Sequence, residues 1–255
     1  MVELKTATEL AVMREAGRVV AQTLVAVREA ADIGVSLAEL DAVAAQVMAD
    51  AGAKPSFLGY HPNWAPTPYP GVICASVNDA VVHGIPGRYR LRDGDLLSID
   101  CGASIDGWHG DAAVSFVVGA ADSADLALIA ATEKALAAGI AAARPGAKKG
   151  DISAAIASIG RASGYGVTED HGGHGIGRAM HEDPPVPNDG RPGRGPRLRP
   201  GLVLALEPMF TRGGLDDYRH ADDGWTVHTT DGTRASHSEH TVAITEAGPL
   251  VLTLP

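Results

Sequence analysis

Apolar positions near the start of the chain recur with the period of a helix. Leu10, Met13, Val20, Leu24 and Val27 fall on one face, and Thr6 followed by Glu9 sets a capping box ahead of them. The arrangement repeats: Ser36 with Glu39 precedes a stripe of Leu37, Leu40, Val43 and Val47, which Gly52 stops. From Val72 the period shortens, and the runs VICASV, DLLSID ending at Asp100 and AAVSFVV ending at Val118 read as strands. The order then recurs. Residues 122–143 make an Ala-rich helix carrying Leu126, Ile129, Leu136 and Ile140, closed by Pro145-Gly146. Asp151 is placed to cap a further helix with Ile152, Ile156 and Ile159 on one side, closed by Gly164. Strand-like runs follow at LVLALE (202–207), WTVHTT (225–230) and HTVAIT (240–245). Helix, helix, strands thus appears twice without a residue-level repeat. It predicts an α+β architecture in which antiparallel strands are backed by helices on one face. The stretch PPVPNDGRPGRGPRLRPG (184–201) reads as an ordered surface loop.

Composition narrows the function more than the fold. At 255 residues and 45% hydrophobic, the chain has material for one large core or two small ones and is not disordered as a whole. Its formal net charge of −10 argues against a phosphate-backbone partner, so no DNA binding is expected. Cys74 and Cys101 are the only cysteines, too few for a disulfide framework and suited to a reducing compartment. No apolar run has the length of a signal or of a membrane span, so a soluble cytoplasmic protein without a membrane partner is expected. The unusual feature is ten His beside only three Phe.

Four places carry candidate chemistry. Asp106-Gly107 is a two-residue hairpin signal that pairs positions summing to about 213. Asp100 then faces position 113, and Asp111 lies diagonal to it on the same face of the sheet. Two solvated hairpin charges satisfy this pattern as well as a bound cation does, although burial would require the cation. The run HGGHGIGRAMHEDPP holds His171, His174, His181 and Glu182 among glycines that let backbone approach closely. Its spacing is not that of the helical zinc peptidases. For any single one of these histidines, a surface or capping role is the commoner arrangement. Glu207 ends an apolar strand, and Glu239 begins another. Together they give two Asp, two Glu and one or two His at strand ends and hairpins, which a bridging pair of divalent ions satisfies most simply. Oxygen-rich ligation with one imidazole favours Mn, Fe or Co over a Cys/His zinc site.

The segments VVHGIP (81–86), SIDCGASIDGWHGDAA (98–113), GGHGIGRAMHEDP (172–184), ALEPMF (205–210) and SEHTVAIT (238–245) resemble, in order and spacing, the signature segments of type I methionine aminopeptidases. The resemblance covers nearly the whole chain and implies the pita-bread fold of the creatinase/aminopeptidase group: two pseudo-symmetric halves around a central antiparallel sheet. It implies a single catalytic domain over residues 1–255, with no type II insertion between His181 and Glu207 and no N-terminal extension. The implied activity is removal of the initiator methionine from nascent proteins and peptides when the second residue is small.

Carried over residue by residue, the resemblance implies two divalent ions, with Co, Mn, Fe, Zn or Ni all acceptable. Asp111 and Glu239 would bridge them, Asp100 would serve one ion, and His174 with Glu207 the other. Glu207 would also carry the proton, His181 would stabilise the oxyanion, and His83 would contact the amide nitrogen after the methionine. The methionine side chain would sit among Tyr60, Tyr69, Cys74, Met180 and Trp225, a lining suited to a thioether. Two departures from the family stand out: YHPNWAPTPYPGV (60–72) is long, and Met180 stands where an aromatic is common. His61 and His109 are expected at the rim.

Bacterial relatives are thought to dock on the ribosome through a positive loop before the GWTV segment. Here TRGGLDDYRHADDGWTV (211–227) is acidic, so ribosome association is expected to be weak or to pass to the Arg-containing loop at 191–199. Nothing demands more than a monomer. Two alternatives remain open: an X-Pro aminopeptidase or prolidase, which shares the ligand set, and a metal-free binding protein on the same fold.

Overall fold

A computed structural model describes residues 2–168 and 170–255. In chain order the elements are α1 (Ala7–Ala30), α2 (Leu37–Asp50), β1 (Lys54–Pro55), β2 (Ile73–Val77), β3 (Ala80–Val82), β4 (Leu96–Ile105) and β5 (Trp108–Val117). Next come α3 (Ser123–Ala142), α4 (Lys149–Ala162), β6 (Gly166–Val167), β7 (Gly172–Gly175), β8 (Glu182–Pro187), β9 (Val203–Leu206) and β10 (Met209–Thr211). The last are β11 (Tyr218–His220), β12 (Val227–Thr229), β13 (Ala235–His237), β14 (Glu239–Thr245) and β15 (Gly248–Val251).

Both expected capping boxes form. Thr6 and Ser36 accept from the backbone N–H of Glu9 and Glu39, whose carboxylates reach back to the cap residues. Asp151 differs from expectation: the cap of α4 is Lys148, three residues earlier, and Asp151 sits in the first turn, accepting from the Lys148 N–H at 2.7 Å. It thus supplies the returning half of a capping box. The segment expected as one loop from residue 184 also begins as strand, because β8 pairs with β7 through Gly172↔Pro187 and Gly173↔Val186.

The main sheet runs β1-β4-β5-β14-β9-β7-β8, with β2 also on β4 and β15 on β14. All its pairings are antiparallel. Two three-stranded sheets, β13-β10-β6 and β11-β12-β3, flank it. The two helix pairs divide the core. Val20, Leu24 and Leu40 of α1 and α2 pack with Leu97, Ile99 and Phe116 of β4 and β5. Leu128, Ile152 and Ile156 of α3 and α4 pack with Leu204, Val242 and Ile244 of β9 and β14. The doubled element order of the sequence therefore becomes two helix-backed halves of one curled sheet, the pita-bread arrangement. The sheet's other face is left to a third cluster that includes Phe57, Tyr69, Cys74, Met180 and Trp225.

Candidate metal centre and substrate cavity

Strand register alone assembles the acidic site. Asp106 and Gly107 both take positive φ (51° and 76°), the geometry of a tight hairpin turn, and set Asp100 opposite Ala113 and Gly102 opposite Asp111. On the far side of β5, Glu239 also pairs with Ala113. Cys74, Asp100, Ala113 and Glu239 thus form one row across the sheet, and continuing the β9 register past Leu206↔His240 brings Glu207 beside Glu239. In the next row His174 faces Ala205, which faces Thr241. The Thr241 hydroxyl donates to the Asp111 carbonyl at 2.8 Å, tying Asp111 into that row. Acids and imidazole share one face; Ala113 and Ala205 stand between them, and Gly102 lets Phe57 and Met180 pack close, since a Cβ there would lie 3.0 and 3.2 Å from them. His174 also needs glycine on both sides: a Cβ on Gly173 would lie 2.2 Å from the Ala205 carbonyl oxygen, and one on Gly175 2.2 Å from that of Asp183.

The carboxylates are buried together. Desolvation first, and mutual repulsion second, push Asp111 well above the usual carboxylate range, while desolvation and then the charges of Asp100 and Asp111 do so for Glu207. Asp100 and Glu239 shift the same way, each mainly through desolvation. Asp100 Oδ1, Asp111 Oδ1 and Glu239 Oε1 are buried without a hydrogen-bond partner among the described residues. Protons or cations must satisfy them. The donors fit a metal: ligand atoms of Asp111, His174 and Glu239 lie within 4.8 Å of one another, as do those of Glu207, His237 and Glu239. His174 Nδ1 is 2.9 Å from the Gly175 carbonyl, so Nδ1 carries the hydrogen and Nε2, 3.4 Å from Glu207 Oε1, presents its lone pair.

Burial holds the histidines neutral. It pulls His83 and His174 down to about 3, helped by neighbouring histidines, and His181 to about 4. His181 stacks on Tyr60 (ring centroids 5.2 Å apart) and sits 4.2 Å from the His174 ring. His83 holds a left-handed backbone (φ 59°) and has no hydrogen-bond partner for Nδ1 among the described residues. Strained backbone at a buried, unpartnered histidine is typical of functional positions.

A cavity of about 270 Å³ joins these groups. All twelve residues that the sequence placed at the site line it: the five acid and imidazole ligand candidates, His83 and His181, and the five pocket residues. Tyr69 is seated by the Ile73 and Gly84 carbonyls, 3.1 and 2.9 Å from its hydroxyl, and lies edge-on to Trp225 at 5.0 Å. The Trp225 indole N–H donates to Thr67 at 3.0 Å. Burial, followed by the Asp100 charge, raises the Cys74 thiol well above its usual range, keeping it protonated. His171 lies apart, in an adjoining cavity of about 500 Å³ that His83 also lines. Glu182 turns away to pair with Lys5 at 2.5 Å. His61 and His109 do not line the first cavity, and His109 Nδ1 is 2.8 Å from Ser56 Oγ.

Comparison with known proteins decides the family. The profile of metallopeptidase family M24 matches residues 11–246. Methionine aminopeptidase 1 of Mycobacterium tuberculosis is 52% identical over all of this chain and 96% of its own length. The solved methionine aminopeptidase of Thermotoga maritima superposes with a TM-score of 0.95 at 38% identity, each chain fully covered. This chain belongs to metallopeptidase family M24, among its methionine aminopeptidases. The prolidase of Pyrococcus furiosus, at 23% identity and a TM-score of 0.79 over 99% of this chain and 65% of its own, shares the fold.

The M24 cavity contains residues that sequence reasoning passed over. Phe57 and Trp64 also line it. Trp64 packs edge-on to Trp225 at 5.0 Å and stacks on His83 at 6.3 Å, so the long 60–72 segment supplies a wall. His237 was missed: it ends β13 two residues before Glu239 opens β14, and its Nε2 lies 3.8 Å from Glu239 Oε2. No helix of the described residues is long and apolar enough to cross a membrane.

Proposed function

We propose that the protein removes the initiator methionine from nascent proteins and peptides with a small second residue, using two divalent ions. The observation that carries this is one cavity in which a thioether-sized aromatic pocket opens directly onto a buried cluster of four carboxylates and an imidazole. Asp111 and Glu239 would bridge the ions, Asp100 would hold one, and His174 with Glu207 the other. Such a pair supplies Lewis acidity and a water that ionises near neutral pH. Any of Co, Mn, Fe, Zn and Ni suits the donors.

The protein's own groups do the rest. Tyr60, Tyr69, Cys74, Met180 and Trp225 hold the methionine side chain and exclude water from it. Glu207, buried at the edge of the cluster, takes the proton from the attacking water and passes it to the leaving amine. His181, held neutral by burial and braced on Tyr60, donates to the scissile carbonyl as negative charge develops on its oxygen. His83 meets the amide nitrogen of the second residue, and Trp64 against His83 narrows the space beside it, which favours a small side chain. Residues 1–255 act as one catalytic unit, in the cytoplasm and as a monomer. Ribosome contact is weak, because Arg212 and Arg219 of the acidic 211–227 segment are engaged by Asp125 and Asp79.

Peptide specificity tests the proposal. With Mn(II) or Co(II) added, Met-Ala-Ser should yield free methionine and Ala-Pro peptides should be left intact. Cleavage of X-Pro bonds without methionine release would instead make the protein a prolidase-type enzyme. Failure to bind any divalent ion would make it a binding protein.

A further inference from the structure

Glu207 has an imidazole on each of its oxygens. His174 Nε2 lies 3.4 Å from Oε1; His237 Nε2 lies 3.7 Å from Oε2 and 3.8 Å from Oε2 of Glu239. His237 is 1% exposed, and its Nε2 is buried with no hydrogen-bond partner among the described residues. Both carboxylate oxygens are too distant to accept a hydrogen bond from it. Its backbone is fastened on two sides, which fixes where the ring is rooted. Its N–H donates to Ser115 Oγ at 3.0 Å, and its carbonyl accepts from the same hydroxyl at 2.7 Å. Within β13 it also pairs with Met209.

A buried nitrogen aimed between two carboxylates and bonded to neither is costly unless a Lewis acid occupies the gap. The separations suit one: the donor atoms of Glu207, His237 and Glu239 lie within 4.8 Å of one another, the same closeness as Asp111, His174 and Glu239. We infer that His237 is a sixth protein ligand, so that the ion held by Glu207 carries two imidazoles. This rests on the metallopeptidase reading above and alters its donor set. A second nitrogen donor shifts that position away from oxygen-preferring Mn(II) and toward Fe(II), Co(II), Ni(II) and Zn(II).

Direct observation of the ligands tests this without any activity assay. Protein carrying nitrogen-15 histidine is loaded to saturation with cadmium-113, and histidine nitrogens coupled to the metal are counted by NMR. Two coupled Nε2 signals are expected, one lost in His237→Gln and the other in His174→Gln. A single coupled signal that survives His237→Gln overturns the assignment and makes His237 a positioning residue for Glu207. The wild-type count is decisive by itself, so the test holds even if a variant fails to fold. Cadmium uptake with one coupled histidine removes only the ligand assignment, whereas no uptake at all removes the metallopeptidase reading with it.

Discussion

Asp111 is boxed in by its own row: its N–H donates to the Thr241 hydroxyl oxygen at 2.9 Å, and its side chain lines the cavity with the other acids. Its truncation should therefore leave the fold little changed and the cluster short of one carboxylate. Asp111→Ala should lose metal and methionine release together, read by metal content and peptide assay; full activity would refute the site. In the proposed reaction His181 acts on the transition state more than on the bound substrate. His181→Ala should lower kcat by on the order of 100-fold or more with little change in KM, and His181→Gln, which keeps an N–H donor, should recover part of it. A change confined to KM would contradict that role. Trp64 acts on shape. Trp64→Ala should raise kcat/KM for methionyl peptides with bulky second residues, relative to Met-Ala, by on the order of 10-fold. An unchanged ratio across a Met-X series would show that the 60–72 segment does not set specificity.

At the scale of elements, the second helix pair is fastened to its strands by charge as well as by apolar packing. Arg161, in the last turn of α4, donates to both oxygens of Asp216 at 2.6 and 2.7 Å, and Asp216 Oδ1 also accepts from Val167 of β6 at 2.9 Å. The Arg161 hydrogen bonds hold the Asp216 carboxyl below its ordinary value. A carboxyl lowered by folding contributes stability above its unfolded pKa, and that contribution is lost as pH falls below about 4 through the folded value. Because the pair is partly hydrated, Asp216→Asn should cost only about 1 kcal/mol near neutral pH. In denaturant titrations the difference from wild type should shrink as pH falls; a constant difference would mean that the cost is not electrostatic. Elements were legible where local chemistry decides them. Thr6-Glu9, Ser36-Glu39 and Asp106-Gly107 fixed two helix starts and one register because each motif is closed by neighbours in sequence. β7 and β8 were illegible for the opposite reason: GGHG and EDPPVP have poor strand propensity and become strands only through pairing, β7 between β9 and β8 and β8 at the sheet edge on β7. Asp151 was misplaced by one role because Asp serves equally at a cap and in the first turn.

For the whole molecule, the site follows from how the two halves meet. β5 from the first half pairs with β14 from the second, and that junction brings Asp100 and Glu239 to either side of Ala113. The ligand candidates were readable as strand-end acids, but their convergence came from the five-segment resemblance, since no local pattern links residue 100 to residue 239. Trp64 and His237 stayed hidden for the same reason. Trp64 reaches the cavity only by packing on Trp225, and His237 approaches the acid cluster beside it only where Glu207 is brought against Glu239. The acidic excess also changes meaning, because part of it is a buried cluster that needs cations. The most direct test of that claim is free methionine released from Met-Ala-Ser as Mn(II) or Co(II) is titrated into metal-free protein. No release is predicted without metal, with activity climbing as the ions fill the cluster; methionine release that is undiminished in chelator, or absent from protein shown to have bound the metal, would contradict the account.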